Sequence, residues 1–315
     1  MATIQKDLWL AYASANIFPD NSFLNHCADA TDFVVGGKIV VKPQAGTLGT
    51  TTKNPSFPLS ITVRSADDIT YPLDFYGIPP IAVRNPSQFE EKPETMALVM
   101  DEQIASATEA MSNNILFDWV AAFPANAGLI PGVAVAAATV IRTSGSATAA
   151  HLADATGTRL LLLKKDLLKA AAVLNKQGVS KQDRYALLSS DMLAQLMSDE
   201  DVLKYERDNE IDPKTGIVTR IAGFNILERA STLTYNNAAT PAAKAVGAAT
   251  AATDNDAVIC WQKNAVDLAK GEIDIIEENN RSEYPGCTII SGIVYAAGRK
   301  RRSDAKGIVA IVQGV

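Results

Sequence analysis

The chain has 315 residues, 47% of them hydrophobic and 20% charged, and its formal net charge is -6. This composition excludes a disordered or fibrous protein, and the acidic balance argues against a dedicated nucleic-acid-binding protein. Three cysteines without a C-x-x-C spacing predict neither a disulfide framework nor a zinc cluster, which favours a reducing compartment. The longest apolar run, residues 127–141, contains Pro131 and Gly132 and is shorter than a membrane-spanning helix. We therefore expect a soluble, cytosolic chain with a large core.

The first part of the chain combines a short helix with β-type segments. The spacing of apolar residues predicts a helix over residues 4–15, which we interpret as an arm that lies on another surface. Residues 33–35 and 38–41 are predicted strands separated by two glycines, and Pro43 is predicted to end the second strand. Residues 44–58 are rich in Gly, Thr, Asn and Pro, so we expect an extended loop there.

A β-hairpin is predicted over residues 59–75. Apolar and polar residues alternate on both sides of a predicted turn at residues 65–68, and the apolar positions are Leu59, Ile61, Val63, Ile69, Tyr71, Leu73 and Phe75. Pro72 confines its strand to the edge of a sheet because it lacks an N–H donor. A hairpin with one apolar face is marginally stable alone, so this face must lie on its own subunit or on a neighbouring one.

A long amphipathic helix is predicted over residues 94–123. Its apolar stripe consists of Met96, Met100, Ile104, Ala107, Met111, Ile115 and Trp119, widened by Val99 and Ala110, with Asp101, Glu102, Ser106, Glu109 and Ser112 mostly off it. Pro93 suits the first helical position and Pro124 ends the run. Such a helix would be about 45 Å long. The alternative is two shorter helices broken near residues 112–114.

The rest of the chain predicts a mixed α/β arrangement. Residues 125–158 have low complexity and no clear assignment, and residues 236–255 read as a solvent-exposed loop. Two helices are predicted, one capped by Asp166 and ended by Gly178, and one capped by Ser190. The predicted strands are residues 159–163, 184–188, 217–221, 224–227, 258–261, 273–276, 288–295 and 307–312. The last two are apolar on both sides, which predicts central strands that are covered on both faces. A final strand that returns to the starting layer predicts two interleaved lobes.

No motif in the sequence predicts catalysis, cofactor binding or a metal site. His26 and His151 lack the neighbouring ligands of known metal motifs, and no nucleotide-binding or hydrolase signature occurs. Ser190 and Asp191 would be the candidates for a small-molecule hydrolase, but no base stands at a recognisable spacing and a helix N-cap explains both. We therefore do not expect an enzyme.

The block formed by Arg299, Lys300, Arg301 and Arg302 is the one dense cluster of charge. It lies between two predicted strands, and its simplest interpretation is a solvated hairpin tip. A contact with carboxylates of a neighbouring subunit, or with phosphate, is the functional alternative. Between these two partners we favour the neighbouring subunit, because an acidic chain has little need of one strong phosphate site.

Several segments and their order resemble a known family. The closest likenesses are residues 4–24, residues 37–41 leading into the extended loop, residues 183–196, residues 216–224 and residues 261–266. The order of arm, extended hairpin, long helix, α/β lobe and returning strands is similar to that of major capsid proteins of tailed double-stranded DNA bacteriophages. The resemblance covers nearly the whole chain and implies an α+β Hong Kong 97-like fold.

The resemblance also implies how the chain is divided. Residues 1–36 would be an N-terminal arm, 37–92 the extended loop, 93–124 the spine helix of a peripheral domain, 125–256 an axial domain, and 257–315 the return strands of the peripheral domain. The subunit-contact candidates are the hairpin residues Leu59, Ile61, Val63, Tyr71 and Phe75 together with Arg299, Lys300, Arg301 and Arg302.

The function implied is a structural one. Family members assemble into icosahedral shells of pentamers and hexamers around double-stranded DNA, without sequence-specific binding and without a membrane, in the bacterial host cytoplasm. A portal is expected as a partner, and a separate scaffold protein is expected unless the chain has already been trimmed. An encapsulin-type nanocompartment shell that loads a cargo enzyme is the alternative with the same fold.

Overall fold

The computed structural model describes residues 21–45, 53–57, 66–84, 93–124, 134–199, 202, 220–279, 283 and 287–315. The helices within these ranges are α1 (Pro93–Val120), α2 (Lys164–Lys176) and α3 (Ser190–Met197), with short 3-10 helices at Ser22–His26, Thr31–Phe33 and Lys263–Ala265. The strands are β1 (Ala28–Asp29), β2 (Val34–Val35), β3 (Ile39–Ala45), β4 (Ala66–Pro72), β5 (Asp74–Arg84), β6 (Thr139–Arg142), β7 (Ala147–Ala149), β8 (Thr158–Leu160), β9 (Arg184–Ser189), β10 (Arg220–Ile221), β11 (Phe224–Arg229), β12 (Thr234–Tyr235), β13 (Asn255–Gln262), β14 (Asp267–Asn279), β15 (Cys287–Ala297) and β16 (Ile308–Val312). Among the described helices, none has the length and apolar character needed to cross a bilayer.

A seven-stranded mixed sheet forms the largest layer, in the order β10-β11-β9-β13-β16-β6, with β12 pairing β13. Every residue of β13 and β16 is buried, which agrees with the predicted central position of the last strand. Strand β15 is also central in its sheet, but the prediction that it is covered on both faces is wrong within the described chain, because Ser291, Ile293 and Tyr295 are only partly buried. Alternate residues of β13 face opposite sides, because Ile259 and Trp261 pack with α1 while Val258 and Cys260 pack with α2 and α3. Helices therefore cover both faces of this sheet.

A second sheet has the order β1-β14-β15-β5 and packs one face on α1. Strands β14 and β15 form a long antiparallel hairpin, and β5 pairs antiparallel with β15. A third sheet, β2-β3-β4, adjoins this one through a small core that contains Val40, Tyr71, Leu73 and Ala269. Strands β7 and β8 form a separate two-stranded sheet.

The predicted long helix is confirmed as one continuous helix, α1, of 28 residues. The alternative of a break near residues 112–114 is wrong. Ile104, Met111, Ile115 and Trp119 of the predicted stripe are buried, and the Trp119 ring centroid lies 5.6 Å from that of Trp261 in the main core. A long apolar period with a proline at the first position was thus sufficient to predict this element.

Two positions of α1 lie differently from the prediction. Ser112, expected off the stripe, is buried, because its hydroxyl accepts a 2.8 Å hydrogen bond from the guanidinium of Arg229 on β11. Ala110, expected to widen the stripe, is exposed. The buried face of α1 therefore turns toward β11 as well as toward the four-stranded sheet.

The predicted hairpin at residues 59–75 is wrong in the position of its turn. Residues 66–68, expected to form a turn, belong to β4, and β4 pairs with β3 over the full range from Ile39↔Pro72 to Ala45↔Ala66. Pro43 is accommodated inside β3 instead of ending it. Pro72 does lie on an edge strand, as predicted, and Leu73 then separates β4 from β5, which joins a different sheet. Residues 59, 61 and 63 lie outside the described residues.

Other local predictions are corrected by one or two residues. Helix α2 begins at Lys164, and Asp166 lies in its first turn, where its carboxylate accepts from the backbone N–H of Leu163. Ser189, not Ser190, is the N-cap of α3, because its hydroxyl accepts from the N–H of Met192. Strand β6 lies within the low-complexity stretch that had no assignment. The strand predicted at residues 159–163 is found at Thr158–Leu160. Of the strand predicted at 217–221, residues 220 and 221 form β10 and the others lie outside the described residues. The remaining apolar strands and Gly178 after α2 are found where they were predicted.

The expected boundary between axial and peripheral parts does not follow the sheets. The boundary at residues 256 and 257 falls inside β13, and the segment after it divides between two sheets. Strands β14 and β15 join β5 in the four-stranded sheet, whereas β16 returns to the seven-stranded sheet beside β6. The two lobes are interleaved, because the chain crosses between these sheets more than once.

Candidate subunit-contact surface

One face of the four-stranded sheet is left uncovered by the described part of the chain. Directly opposed residues of an antiparallel pair share a face, so Phe75 and Tyr295 lie together, with Ile293 and Asp274 following on the same side. Phe75 is 59% exposed, and its ring centroid lies 5.7 Å from that of Tyr295. Ile276, two residues beyond Asp274, is 39% exposed. We call this face, formed by Phe75, Asp274, Ile276, Ile293 and Tyr295, the outer sheet face.

Carboxylates border the apolar part of the outer sheet face. The side chains of Glu272 and Asp274 on β14 are exposed next to Ile276. An apolar centre with a charged rim is typical of a protein–protein interface and unusual on a surface that faces only water. The acidic rim also makes a partner with basic side chains more favourable than an acidic one.

The β2–β3 hairpin exposes a second apolar patch. Gly36 and Gly37 both have positive φ at its tip, which permits the tight reversal between the strands. Val34 pairs with Val40, which is fully buried, so the opposed pair of Val35 and Ile39 must point to the other side. Val35 is 61% exposed and Ile39 37% exposed. Phe57, in the loop between β3 and β4, is 82% exposed.

The hairpin candidates Tyr71 and Phe75 are placed differently from each other. Tyr71 is 5% exposed and its hydroxyl donates a 2.8 Å hydrogen bond to Asp267 of the same chain. Burial raises the pKa of Tyr71 well above its ordinary value, so it stays a neutral donor. Phe75 points outward on the outer sheet face. Tyr71 therefore belongs to the subunit's own core, and Phe75 is available to a neighbour.

The basic block at residues 299–302 is divided by the fold. The guanidinium of Arg299 forms ion pairs with Asp118 on α1 and, at 3.3 Å, with Asp74 on β5. Lys300 is 2% exposed, and its ammonium donates to the carbonyl oxygens of Ala121 and Ala136. These two residues hold the end of α1 and are not a solvated tip. The prediction of four clustered surface charges is therefore wrong for Arg299 and Lys300.

Arg301 and Arg302 are the part of the block that solvent reaches. Arg301 is half-buried, and its backbone N–H donates to Ala265. The guanidinium of Arg302 forms two hydrogen bonds with the Asp304 carboxylate, at 3.0 and 2.9 Å. This contact lowers the pKa of Asp304 to about 2. Any contact of the block with a neighbour would therefore involve Arg301 and Arg302.

The structure shows a buried polar group near the hydrolase candidates. Ser190 and Asp191 are exposed at the start of α3. The preceding Ser189 donates its hydroxyl hydrogen to Asp256, and Nε2 of His151 lies 3.0 Å from the same carboxylate. A serine nucleophile needs the imidazole, not the carboxylate, as its direct partner. Ser189 and His151 both contact Asp256 and so lack the serine–imidazole contact of a nucleophile, and no sequence motif predicts this group.

The remaining candidates for chemistry among the described residues are metal ligands and cysteine thiols. Over residues 21–45, 66–84, 93–124, 134–199 and the later described ranges, no three His, Cys, Asp or Glu side chains are arranged to hold a metal ion. Cys27, Cys260 and Cys287 are buried free thiols. Burial raises the pKa of Cys27 to about 12, so this thiol is unreactive at neutral pH.

A comparison with protein families decides the identity of the chain. The family model described as phage capsid protein matches residues 100–313. The chain belongs to this phage capsid family. The match begins within α1 and runs through β16, so it includes the whole seven-stranded sheet, strands β14 and β15 of the four-stranded sheet, and the outer sheet face apart from Phe75. A capsid role is structural, in agreement with the expectation from the sequence.

Solved capsid structures share the fold of this phage capsid protein. The capsid of cyanophage P-SCSP1u is 15% identical with a TM-score of 0.61, and the alignment covers 91% of this chain and 86% of that one. The capsid of Ralstonia phage GP4 is 12% identical with a TM-score of 0.59, covering 91% and 86%. A virus-like particle from Pyrococcus furiosus is 8% identical with a TM-score of 0.54, covering 98% and 99%. A search of curated protein sequences gives no match.

These likenesses confirm the expected α+β capsid fold and the resemblance to phage major capsid proteins. At such low sequence identities, these likenesses show only that the fold is shared. The residues that meet a neighbouring subunit have to be argued from the surface of this chain.

Proposed function

We propose that this chain assembles with copies of itself, as pentamers and hexamers, into an icosahedral shell that encloses phage double-stranded DNA. The observation that carries the proposal is the outer sheet face of a chain in the phage capsid family. The exposed apolar side chains of this face would be buried if a second copy of the chain docked there. The virion capsid is the place of action, and assembly in the host cytoplasm is part of the same proposal.

The amount of exposed apolar surface supports association between copies. Phe75, Ile276, Val35 and Phe57 are each more than a third exposed, and full burial of one such side chain contributes about 1.5–3 kcal/mol. A shell subunit makes several contacts at once, so modest individual contacts give a stable assembly through multivalency. We infer that the extended loop, with Phe57, Leu59, Ile61 and Val63, reaches over a neighbour.

Charge supports a container better than a DNA-binding protein. The net charge of -6 disfavours tight binding to phosphates, so DNA is enclosed without sequence-specific contacts. We infer that Arg301 and Arg302 contact carboxylates of a neighbouring copy, for which the exposed Glu272 beside the outer sheet face is a suitable partner. A scaffold protein and a portal complete the proposed set of partners.

Electron microscopy of the purified chain tests the proposal. Closed shells that package DNA in an infected host would support it, whereas small shells filled with protein cargo would favour an encapsulin-type nanocompartment. A monomer at all concentrations would contradict both.

A matched pair of variants tests the outer sheet face. Phe75→Ser should prevent shell formation while the subunit unfolds at the wild-type temperature, because Phe75 is exposed in the single chain. Leu168→Ser on α2 is the control, since Leu168 is also exposed, by 51%, but lies away from this sheet. Normal shells from Phe75→Ser would remove the outer sheet face from the interface.

A further inference from the structure

Asp267, the first residue of β14, lies where three parts of the subunit meet. Its side chain is fully buried. One carboxylate oxygen accepts hydrogen bonds from the Tyr71 hydroxyl, at 2.8 Å, and from the backbone N–H of Arg299, at 3.0 Å. The other oxygen is paired with the ammonium of Lys42. Lys42 lies on β3 and Tyr71 on β4, so both strands at the base of the extended loop bind this one carboxylate.

The backbone of Asp267 binds the body of the subunit. Its N–H donates to the carbonyl of Arg299 at 3.0 Å, and its carbonyl accepts from the indole N–H of Trp119 on α1 at 3.1 Å. Ala28 of β1 pairs with it in the parallel register. The same residue therefore holds α1 and the four-stranded sheet with its main chain and the loop base with its side chain.

Apolar packing alone would not fix the direction of the loop. The small core between the sheets contains Val40, Ile69, Tyr71 and Leu73 from the loop side against Ala30, Ala269 and Ala297, with Tyr295 packed against it. Apolar contact has no directional preference. Hydrogen bonds and a buried ion pair do depend on geometry, and an unpaired buried charge is costly. The contacts of Asp267 are therefore satisfied in one orientation of the three-stranded sheet.

We propose that Asp267 is a positioning residue for assembly: by binding Lys42 and Tyr71 it sets the direction in which the extended loop leaves the subunit. The partner that the loop then reaches is a second copy of this chain. This inference rests on the proposed function, because direction matters only if the loop meets a neighbour. It assigns to a buried intrasubunit residue a role in the fit between subunits.

The central experiment is a cycle of Asp267→Asn, Lys42→Met and the double variant. Asp267→Asn keeps an oxygen for Tyr71 and Arg299 but removes the carboxylate partner of Lys42. Burial lowers the pKa of Lys42 to about 7, so in this variant the lysine loses both its ion pair and part of its charge at neutral pH. We expect faster amide hydrogen exchange in β3 and β4, unchanged exchange in β13 and β16, and an assembly rate lowered by about tenfold or more. The double variant also lacks the ion pair, so it should assemble within about threefold of the rate of Asp267→Asn, whereas its unfolding midpoint should partly recover because no unpaired buried amine remains.

Two further variants separate positioning from general stability. Tyr71→Phe keeps the ring and removes one hydrogen bond, so it should slow assembly with little change in the unfolding midpoint. Asp256→Asn, in another buried network, should lower the midpoint without changing exchange in β3 and β4. If Tyr71→Phe or the double variant assembles at the wild-type rate, the inference is overturned, because assembly would then not depend on the contacts of Asp267.

The exchange measurement uses unassembled subunits and does not depend on shell formation. If the wild-type chain forms no shells, the proposed function fails. Unchanged exchange in β3 and β4 of Asp267→Asn would instead overturn the positioning role alone, whether or not shells form.

Discussion

Ile115 on α1 packs directly on the backbone of Gly298 at the end of β15, with no space for a side chain between them. A Cβ at position 298 would lie 2.5 Å from Cγ2 of Ile115 and 2.9 Å from the carbonyl oxygen of Asp267. It would also meet the indole nitrogen of Trp119 at 3.0 Å. The close packing of α1 on the four-stranded sheet therefore depends on this glycine.

Gly298→Ala should destabilise the subunit by about 1–3 kcal/mol, because α1 would have to move away from β15 and from Asp267. Urea unfolding of unassembled subunits measures this change. Gly77→Ala on β5 is the control, since a Cβ there meets only the Phe75 ring at an ordinary 3.6 Å. Equal stability of the two variants would show that the helix adjusts freely and that the close packing has no energetic weight.

A charge on the buried face of α1 should prevent folding. Met111 is 2% exposed in the main core, so Met111→Asp places a carboxylate among apolar side chains at a cost of about 3 kcal/mol or more. We expect loss of soluble expression. Glu109→Ala on the exposed face of the same helix should express normally. Comparable soluble yield of both variants in a pelleting assay would contradict the assignment of the buried face.

Local regularity explains which elements could be predicted from sequence. Helix α1 repeats its apolar spacing over seven turns and begins with a proline, so its signal does not depend on distant residues. Strands β13 and β16 are continuous apolar runs. Strand β6 gave no such signal, because Thr139–Arg142 stands in a stretch rich in Ala and Thr and is only half-buried.

Long-range pairing explains what could not be predicted. Residues 66–68 are small or acidic and suggest a turn, yet they form a strand because β3, more than twenty residues earlier, supplies its hydrogen bonds. Tyr71 and Asp267 are 196 residues apart, and no local pattern brings them together. The available signal was a single charged residue inside an apolar run, as for Lys42 after Val41 and Asp267 between Val266 and Leu268.

Protonation of His151 should stabilise the seven-stranded sheet. The hydrogen bond to Asp256 raises the pKa of His151 above its ordinary value of 6.5, with Asp191 adding to the effect, and burial and Arg159 opposing it. The stabilisation is thus fully present below pH 6.5 and is lost as pH rises through the raised pKa. We expect the free energy of unfolding, measured between pH 5.5 and about 8, to fall more for wild type than for His151→Gln.

His26 provides the matched control for this pH dependence. Burial and then Lys263 lower its pKa, so its protonation should oppose folding, and His26→Gln should not remove the fall seen in wild type. Parallel pH profiles of wild type and His151→Gln would show that the Asp256 contact is not coupled to folding.

Lys300 should show the opposite pH dependence. Burial, followed by the charge of Arg299, lowers its pKa from 10.5 to about 7. Between these values the unfolded chain binds a proton that the folded chain does not, so the folded state gains stability as pH rises. Relative to Lys300→Met, the free energy of unfolding of wild type should increase by about 2 kcal/mol between pH 7 and 9.

The surroundings of the Lys300 ammonium explain this pH dependence. Lys300 reaches the carbonyl of Ala121 just after α1, where the helix dipole favours a cation, but it does so with 2% of its surface exposed. The neutral amine can still donate to Ala121 and Ala136, so losing the charge removes the burial cost and keeps the contacts. Lys306→Met, which replaces an exposed lysine, is the control. The free energy of unfolding of wild type relative to Lys306→Met should not increase between pH 7 and 9. If the difference between wild type and Lys300→Met is flat, or falls from pH 7 to 9, the charge at the end of α1 is a net source of stability and this account of Lys300 is wrong.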